Sequence, residues 1–137
     1  MKTFKLKMLE IIDENAETYK PIQIPLIDGL IINREDMENR WLIEAFTDKK
    51  HHDFFRNLKE KDKEIIVHVK ITTDLNEKAT CITTIIGLNE IGDKINVLFL
   101  GNMVDQRTPK LEKVLNELIM NGNKGKSLLS KFKESLN

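Results

Sequence analysis

Hydrophobic and polar residues alternate along much of the first hundred residues, and this period of two predicts β-strands. In residues 2–8 the apolar side chains occupy even positions, whereas in residues 9–11 they occupy odd positions. A slip of one residue is what a β-bulge produces, so we expect a bend near Met8–Leu9.

Two local signals follow this first strand. Pro21 and Pro25 accompany the next alternating set, residues 22–26. Because proline has no amide donor, we expect this strand at an edge of the sheet. The dipeptide Asp28-Gly29 lies between alternating apolar runs and predicts a hairpin turn. A further strand is predicted over residues 41–47.

The second half of this region predicts a meander. Residues 65–71, 79–88 and 95–100 are rich in β-branched or apolar residues and are joined by short polar connections. Short connections indicate antiparallel neighbours, because parallel strands need a longer crossover. Before the meander, residues 48–63 mix charges with apolar residues at helical spacing, which predicts a short helix or an ordered loop.

The C-terminal residues predict a helical hairpin. Thr108-Pro109 is a helix-start signal, and Asn121-Gly122 is a typical helix end. Apolar residues recur between these signals at the spacing of one helix face. They are Leu111, Val114, Leu115, Leu118 and Ile119. A second apolar set marks the second helix: Leu128, Leu129, Phe132 and Leu136.

This element order predicts an α+β fold, a small antiparallel β-barrel of about seven strands followed by a C-terminal two-helix hairpin. We expect residues 1–104 to form the barrel core, with the short helix or loop at 48–63. Residues 105–137 would pack on or beside the barrel, so that the chain is a single structural unit. Because residues 95–100 are apolar on both faces, we expect one face inside the barrel and the other under the hairpin. A two-layer open sheet is the alternative.

Composition narrows the range of functions. The chain has 137 residues with 22 basic and 22 acidic side chains, so its net charge is zero. A dedicated nucleic-acid-binding protein normally carries a basic excess, which argues against that class. The chain has no apolar run of about 20 residues, so we expect no transmembrane segment. The lone Cys81 and the lack of a signal-peptide pattern favour the cytoplasm.

Three segments of the N-terminal third resemble one known family. They are MKTFKL at 1–6, DGLIIN at 28–33 and WLIEAF at 41–46. In this order and spacing they are similar to the YwpF-like family of small proteins from Gram-positive bacteria. The resemblance implies a β-barrel with a C-terminal helix pair and implies no catalytic residues. The same plan also resembles the ring-forming tube proteins of contractile secretion systems, which keeps self-assembly open as an alternative.

Few residues occur in patterns that are typical of metal binding or catalysis. His51, His52 and Asp53 are the one cluster of metal-ligand types, but zinc sites usually need three or four converging ligands. A solvated helix start explains them more simply, and we expect no metal and no cofactor. Cys81 lies in a predicted strand without a visible base, so we interpret it as a small buried residue.

Two further sets of residues are candidates for binding. Glu44 shares a strand face with Leu42 and Phe46, and a carboxylate among apolar neighbours must be paired, protonated or at a rim. With Trp41 it is a candidate for a pocket at the barrel mouth. Four lysines of the second helix are candidates for docking an acidic partner or a membrane surface. A solvated face also explains them, as does attraction to residues 1–107, which carry 16 basic and 19 acidic side chains. The four lysines are Lys124, Lys126, Lys131 and Lys133.

No phosphate-binding loop, dinucleotide fingerprint, nucleophile elbow or zinc-protease motif occurs in the sequence. We therefore expect a protein that is not an enzyme and that acts as an interaction or scaffold module for a protein partner. One alternative is a self-assembling ring, tube or secretion-associated protein. The other is a binder of small apolar ligands, or an enzyme, with a pocket at the barrel mouth.

Overall fold

The computed structural model describes residues 1–61, 63–104 and 108–136, with the backbone alone at 108 and 109. It contains seven strands and three α-helices, and a 3₁₀ turn at Lys49–His51. The predicted cap by the Thr108 side chain lies outside the described residues. The strands are β1 Lys2–Ile11, β2 Ile22–Ile24, β3 Asp28–Asn33, β4 Arg40–Asp48, β5 Ile65–Ile71, β6 Ala79–Ile91 and β7 Lys94–Met103. The helices are α1 His52–Glu60, α2 Thr108–Met120 and α3 Lys126–Ser135.

Six strands close into an antiparallel barrel in the order β1-β3-β4-β7-β6-β5, and β5 pairs again with β1. This confirms the predicted α+β barrel and replaces the open-sheet alternative. The register of β1 against β5 shifts between Leu6 and Met8, where the alternation slips in the sequence. The short β2 pairs with the end of β1 and lies at the edge, as its prolines predict.

The meander and the segment before it also follow the pattern. Strands β5, β6 and β7 are consecutive antiparallel neighbours. Within the charged segment 48–63, the 3₁₀ turn and α1 occupy residues 49–60. The side chain of Phe55 from α1 is fully buried in the barrel core, with its ring centroid 6.0 Å from that of Phe99 in edge-to-face geometry. The helix therefore fills one end of the barrel.

The hairpin turn predicted at Asp28-Gly29 is wrong. Both residues begin β3, which pairs with β1 and β4 and not with β2. The glycine is needed for packing, because a Cβ at Gly29 would lie 3.0 Å from Leu6 Cβ and 3.1 Å from the carbonyl oxygen of Glu44. Glycine lacks a side chain, which allows tight turns in many proteins. At Gly29 the same property allows neighbouring strands to approach closely inside the barrel.

The helical hairpin covers a different part of the barrel from the one predicted. It packs on the outer side of β1, β5 and β6, through Ile12, Ile66 and Ile82. The hairpin contributes buried side chains from both helices: Leu111, Leu115, Ile119, Leu128 and Phe132. The outer face of residues 95–100 is not part of this cluster, because β7 lies on the far side of β6 from β5.

Candidate functional site

Part of the outer barrel wall is apolar and remains uncovered. On β3, β4 and β7 the residues of the inner face, such as Ile31, Ile43 and Phe99, are fully buried in the core. The residues between them point outward, and they belong to neither buried cluster of the described structure. We call these seven side chains the open face: Leu30 and Ile32 of β3, Leu42 and Phe46 of β4, Ile86 of β6, and Leu98 and Leu100 of β7. Leu30 and Ile86 are exposed, and the other five are half-buried.

Glu44 lies at the centre of the open face. The register places it directly between Leu30 of β3 and Leu98 of β7. Leu42 and Phe46 precede and follow it on the same side of β4, as the alternation predicts. The side chain is partly buried and forms no ion pair with any described residue. Its surroundings are therefore apolar on four sides.

Trp41 lies on the other side of β4 from Glu44, since their positions differ by an odd number. Its ring stacks on Phe4, with centroids 6.3 Å apart and an interplanar angle of 27°. It packs against the barrel core near the end opposite α1. Trp41 and Glu44 consequently do not line a common pocket.

Of the candidate metal ligands His51, His52 and Asp53, His52 has two acidic side chains close to its ring. His52 Nδ1 lies 3.4 Å from Asp53 Oδ1, and its Nε2 lies 3.7 Å from Glu90 Oε1. His51 Nε2 is buried and has no hydrogen-bond partner within the described chain. Across residues 1–61, 63–104 and 108–136 no three side chains of ligand type are placed to hold a metal ion.

The four candidate lysines differ in their surroundings. Lys133 Nζ lies 2.6 Å from Glu64, and Lys124 Nζ lies 3.8 Å from Glu17, so both contact segments next to the barrel. Lys126 and Lys131 are exposed and make no ion pair with the part of the chain that the structure describes. Half of the set thus serves intramolecular contacts.

The sequence analysis missed a polar cluster buried beneath the hairpin. His68 is fully buried; its Nδ1 lies 2.9 Å from Thr80 Oγ1, and its Nε2 lies 2.9 Å from the Tyr19 hydroxyl. Burial lowers the pKa of His68 to about 4 and raises that of Tyr19. With both nitrogens occupied, the ring has no free lone pair for a metal or a substrate proton. In the sequence, His68 shares one face of β5 with the apolar Ile66. This position is the signal that the His68 ring is buried.

A cluster of ion pairs lies at the same interface between the barrel and the helical hairpin. Lys78 Nζ lies 2.9 Å from Glu10 and 3.3 Å from Glu112, and so links β1 to α2. On the opposite side of the sheet Cys81 faces the barrel core, and burial raises its pKa to about 12. Such a thiol is not a nucleophile at neutral pH, because the reactive form is the thiolate.

The chain is similar to known proteins over nearly its whole length. Among the described residues no helix is long and apolar enough to cross a membrane. The family model of YwpF-like proteins matches residues 2–135. The chain is 40% identical over 136 residues to the uncharacterized protein YwpF of Bacillus subtilis, covering 99% of this chain and 100% of that protein. It is also similar to the crystal structure of a hypothetical protein from Staphylococcus aureus, with a TM-score of 0.71 and 26% identity over 99% of this chain and 93% of that one. The chain belongs to the YwpF-like family.

Proposed function

We propose that the protein is a non-enzymatic interaction module that binds a partner protein on the open face. The observation that carries this proposal is Glu44, a carboxylate that forms no ion pair with the described residues and lies at the centre of an apolar surface outside the hairpin. Contiguous exposed apolar patches on soluble proteins commonly mark sites of interaction. The free Cys81 supports a cytoplasmic setting for this interaction.

The charge at the centre defines the chemistry of the partner. A carboxylate covered by an apolar surface loses its hydration, and a cation with good geometry compensates this loss while the group stays ionised. The partner should therefore present one lysine or arginine surrounded by apolar side chains. An amphipathic helix with a basic residue in its apolar stripe has this arrangement and fits across a sheet surface.

The same charge disfavours a second copy as the occupant. In a two-fold symmetric dimer each patch meets its own counterpart. Two Glu44 carboxylates would then approach each other within an apolar interface, where like charges repel strongly. This argument favours a different protein over a dimer formed face to face.

The proposal is tested by photo-cross-linking in cells of the natural host. A photoreactive amino acid replaces Ile86 or Leu30, both exposed positions of the open face, and Met120 of α2 as a matched exposed control. We expect one partner protein to be cross-linked from both face positions and not from Met120. The substitution Glu44→Lys should reduce this cross-link at least tenfold, since disrupting a buried charge pair costs about 2–5 kcal/mol.

Three outcomes would overturn the proposal. One is equal cross-linking from Met120, and another is a cross-link that Glu44→Lys leaves unchanged. The third is cross-linking only between copies of this chain, which would favour the ring or tube alternative. The cross-linked peptide must also contain the basic residue that the chemistry of Glu44 requires.

A further inference from the structure

A second feature, independent of the open face, lies where α1 meets the ends of β1 and β5. A cleft of about 230 Å³ opens there between the helix and the strands. We call it the α1 cleft. Its walls are mainly apolar and come from three strands and the helix: Ile11, Ile22, Ile65, Phe54 and Leu58. A cleft of this size is smaller than a site for a drug-sized molecule and suits a compound of several heavy atoms.

One polar group in the α1 cleft lacks a partner. Glu14 Oε1 is buried and accepts no hydrogen bond from any described residue. The residue is held by its backbone, because its carbonyl oxygen accepts a hydrogen bond of 2.8 Å from the amide of Gly125 at the start of α3. The backbone of Glu14 is thus anchored beside the cleft, while its carboxyl oxygen Oε1 has no donor among the described residues. Leaving a buried acceptor unsatisfied costs free energy that a ligand donor would recover.

The charges around Glu14 are mixed. Lys61, Lys63, Asp13 and Glu64 also line the α1 cleft. Glu64 is neutralised from the other side by Lys133, whose Nζ lies 2.6 Å away. Burial raises the pKa of Glu14 to about 7; Lys63 lowers it, Glu64 and Asp13 raise it, and Lys61 lowers it. Near neutral pH the carboxyl group is therefore divided between its two protonation states.

A neighbouring cavity shares this carboxyl group. It measures about 340 Å³ and extends from Glu14, Lys63 and Glu64 to the side of α3 that carries Lys126 and Leu129. Glu14 therefore lies where the α1 cleft meets a second, more open cavity. A ligand with an apolar body and one polar head fits apolar walls that end at a carboxyl group.

We propose that the α1 cleft binds a small amine, with its apolar body against Ile22, Phe54 and Leu58 and its ammonium group donating to Glu14. An ammonium group supplies the donor that Oε1 lacks, and ionisation of Glu14 adds a charge-assisted hydrogen bond. A hydrocarbon would fill the recess but leave the acceptor unsatisfied. A carboxylate would approach the like charge of ionised Glu14, so it would bind only to the protonated form.

The test uses n-hexylammonium, hexanoate and hexanol as probes of matched length, with binding followed by NMR of the isotopically labelled full chain. We expect hexylammonium to shift the amide signals of Asn15 and Asn57, two residues that line the α1 cleft. The ionised fraction of a group with a pKa of about 7 rises about tenfold from roughly pH 6 to pH 8. The affinity for hexylammonium should rise by about the same factor.

Two variants and a control locate the site. Glu14→Gln should weaken binding at least tenfold and remove its dependence on pH, and it should fold because the neutral acid is already populated. Ile22→Trp narrows the recess from an edge strand and should also weaken binding. Glu60→Gln is the matched control, since Glu60 is an exposed carboxylate of α1 that pairs with Arg56 and lines neither cavity, and its effect should stay within about twofold.

The inference is overturned if hexylammonium causes no shifts, or if Glu14→Gln binds it as tightly as the natural chain. Stronger binding of hexanoate than of hexylammonium to the natural chain at about pH 8 would also contradict it and would assign the site to Lys61 and Lys63. Loss of binding in Glu64→Gln alone would move the ammonium group to Glu64. None of these outcomes depends on the open face.

Discussion

Acidification should destabilise the protein through His68. The neutral ring is fully buried, and its nitrogens meet Tyr19 and Thr80 at 2.9 Å each. Protonation would place a charge in this buried cluster and remove the acceptor nitrogen. Glu10, Lys78 and Glu112 are the nearby charged groups, and Lys78 already pairs with both carboxylates. These three groups together carry one net negative charge, and Glu10 raises the pKa of His68, but burial of the ring is the larger effect and lowers it.

The magnitude follows from the difference between the folded and unfolded pKa values. The pKa of His68 is about 4 in the folded chain, against 6.5 for an unperturbed histidine. Because the folded pKa is the lower one, the contribution is complete above pH 6.5 and is lost as the pH falls towards 4. At about 1.4 kcal/mol per pKa unit, the loss in the free energy of unfolding amounts to roughly 3 kcal/mol.

Ionisation of Glu14 changes the stability of the fold in the opposite direction over the same pH range. Its pKa is raised from 4.5 to about 7, so its contribution to stability is complete below 4.5 and is lost as the pH rises through 7. Acidification therefore gains stability at Glu14 while it loses stability at His68. The two effects must be separated by measuring His68 in a Glu14→Gln background.

The assay is urea unfolding between about pH 7 and pH 4, with His68→Gln and the more exposed control His52→Gln in that background. Glutamine costs some stability at every pH, so the slope against pH is the informative quantity. We expect His68→Gln to flatten the slope by about 3 kcal/mol over this range and His52→Gln to leave it nearly unchanged. An unaltered slope in His68→Gln would refute the reasoning.

Three further predictions concern the barrel. Phe55→Ala removes a fully buried ring that contacts Phe99, and should lower the free energy of unfolding by about 3–5 kcal/mol in urea titration. A small loss would show that α1 does not fill the barrel end. Gly101→Ala should prevent stable folding, as judged by circular dichroism, because its Cβ would lie 2.6 Å from Thr83 Cα. Cys81 should react with a thiol reagent at neutral pH only when the chain unfolds, since its pKa is about 12. Rapid labelling of the folded chain would contradict its burial.

Much of the barrel follows from local pattern. The alternation in β1 locates both its faces and its bulge, and the short links around β6 impose antiparallel neighbours. The dipeptide Asp28-Gly29 fails because glycine has two uses, in turns and at close contacts, and only the packed barrel distinguishes them.

The sequence pattern predicts less of the candidate site than of the barrel. Residues 66 and 98 both lie in strands that are apolar on two faces, so periodicity does not decide which outer face the hairpin covers. The surroundings of Glu14 are equally non-local. It belongs to a polar loop in the sequence, and it becomes partly buried beside Lys61, Lys63, Glu64 and Gly125, which are distant along the chain.

The most direct test of the open face compares charge reversals on two surfaces in one experiment. The photoreactive group is placed at Ile86, and the yield of the partner cross-link is measured with Glu44→Lys and with Lys131→Glu. Lys131 is exposed on α3 and makes no ion pair with the described residues, so it is a matched reversal elsewhere. We predict at least a tenfold loss for Glu44→Lys and no loss for Lys131→Glu. The opposite pattern would contradict the account and place the partner on α3.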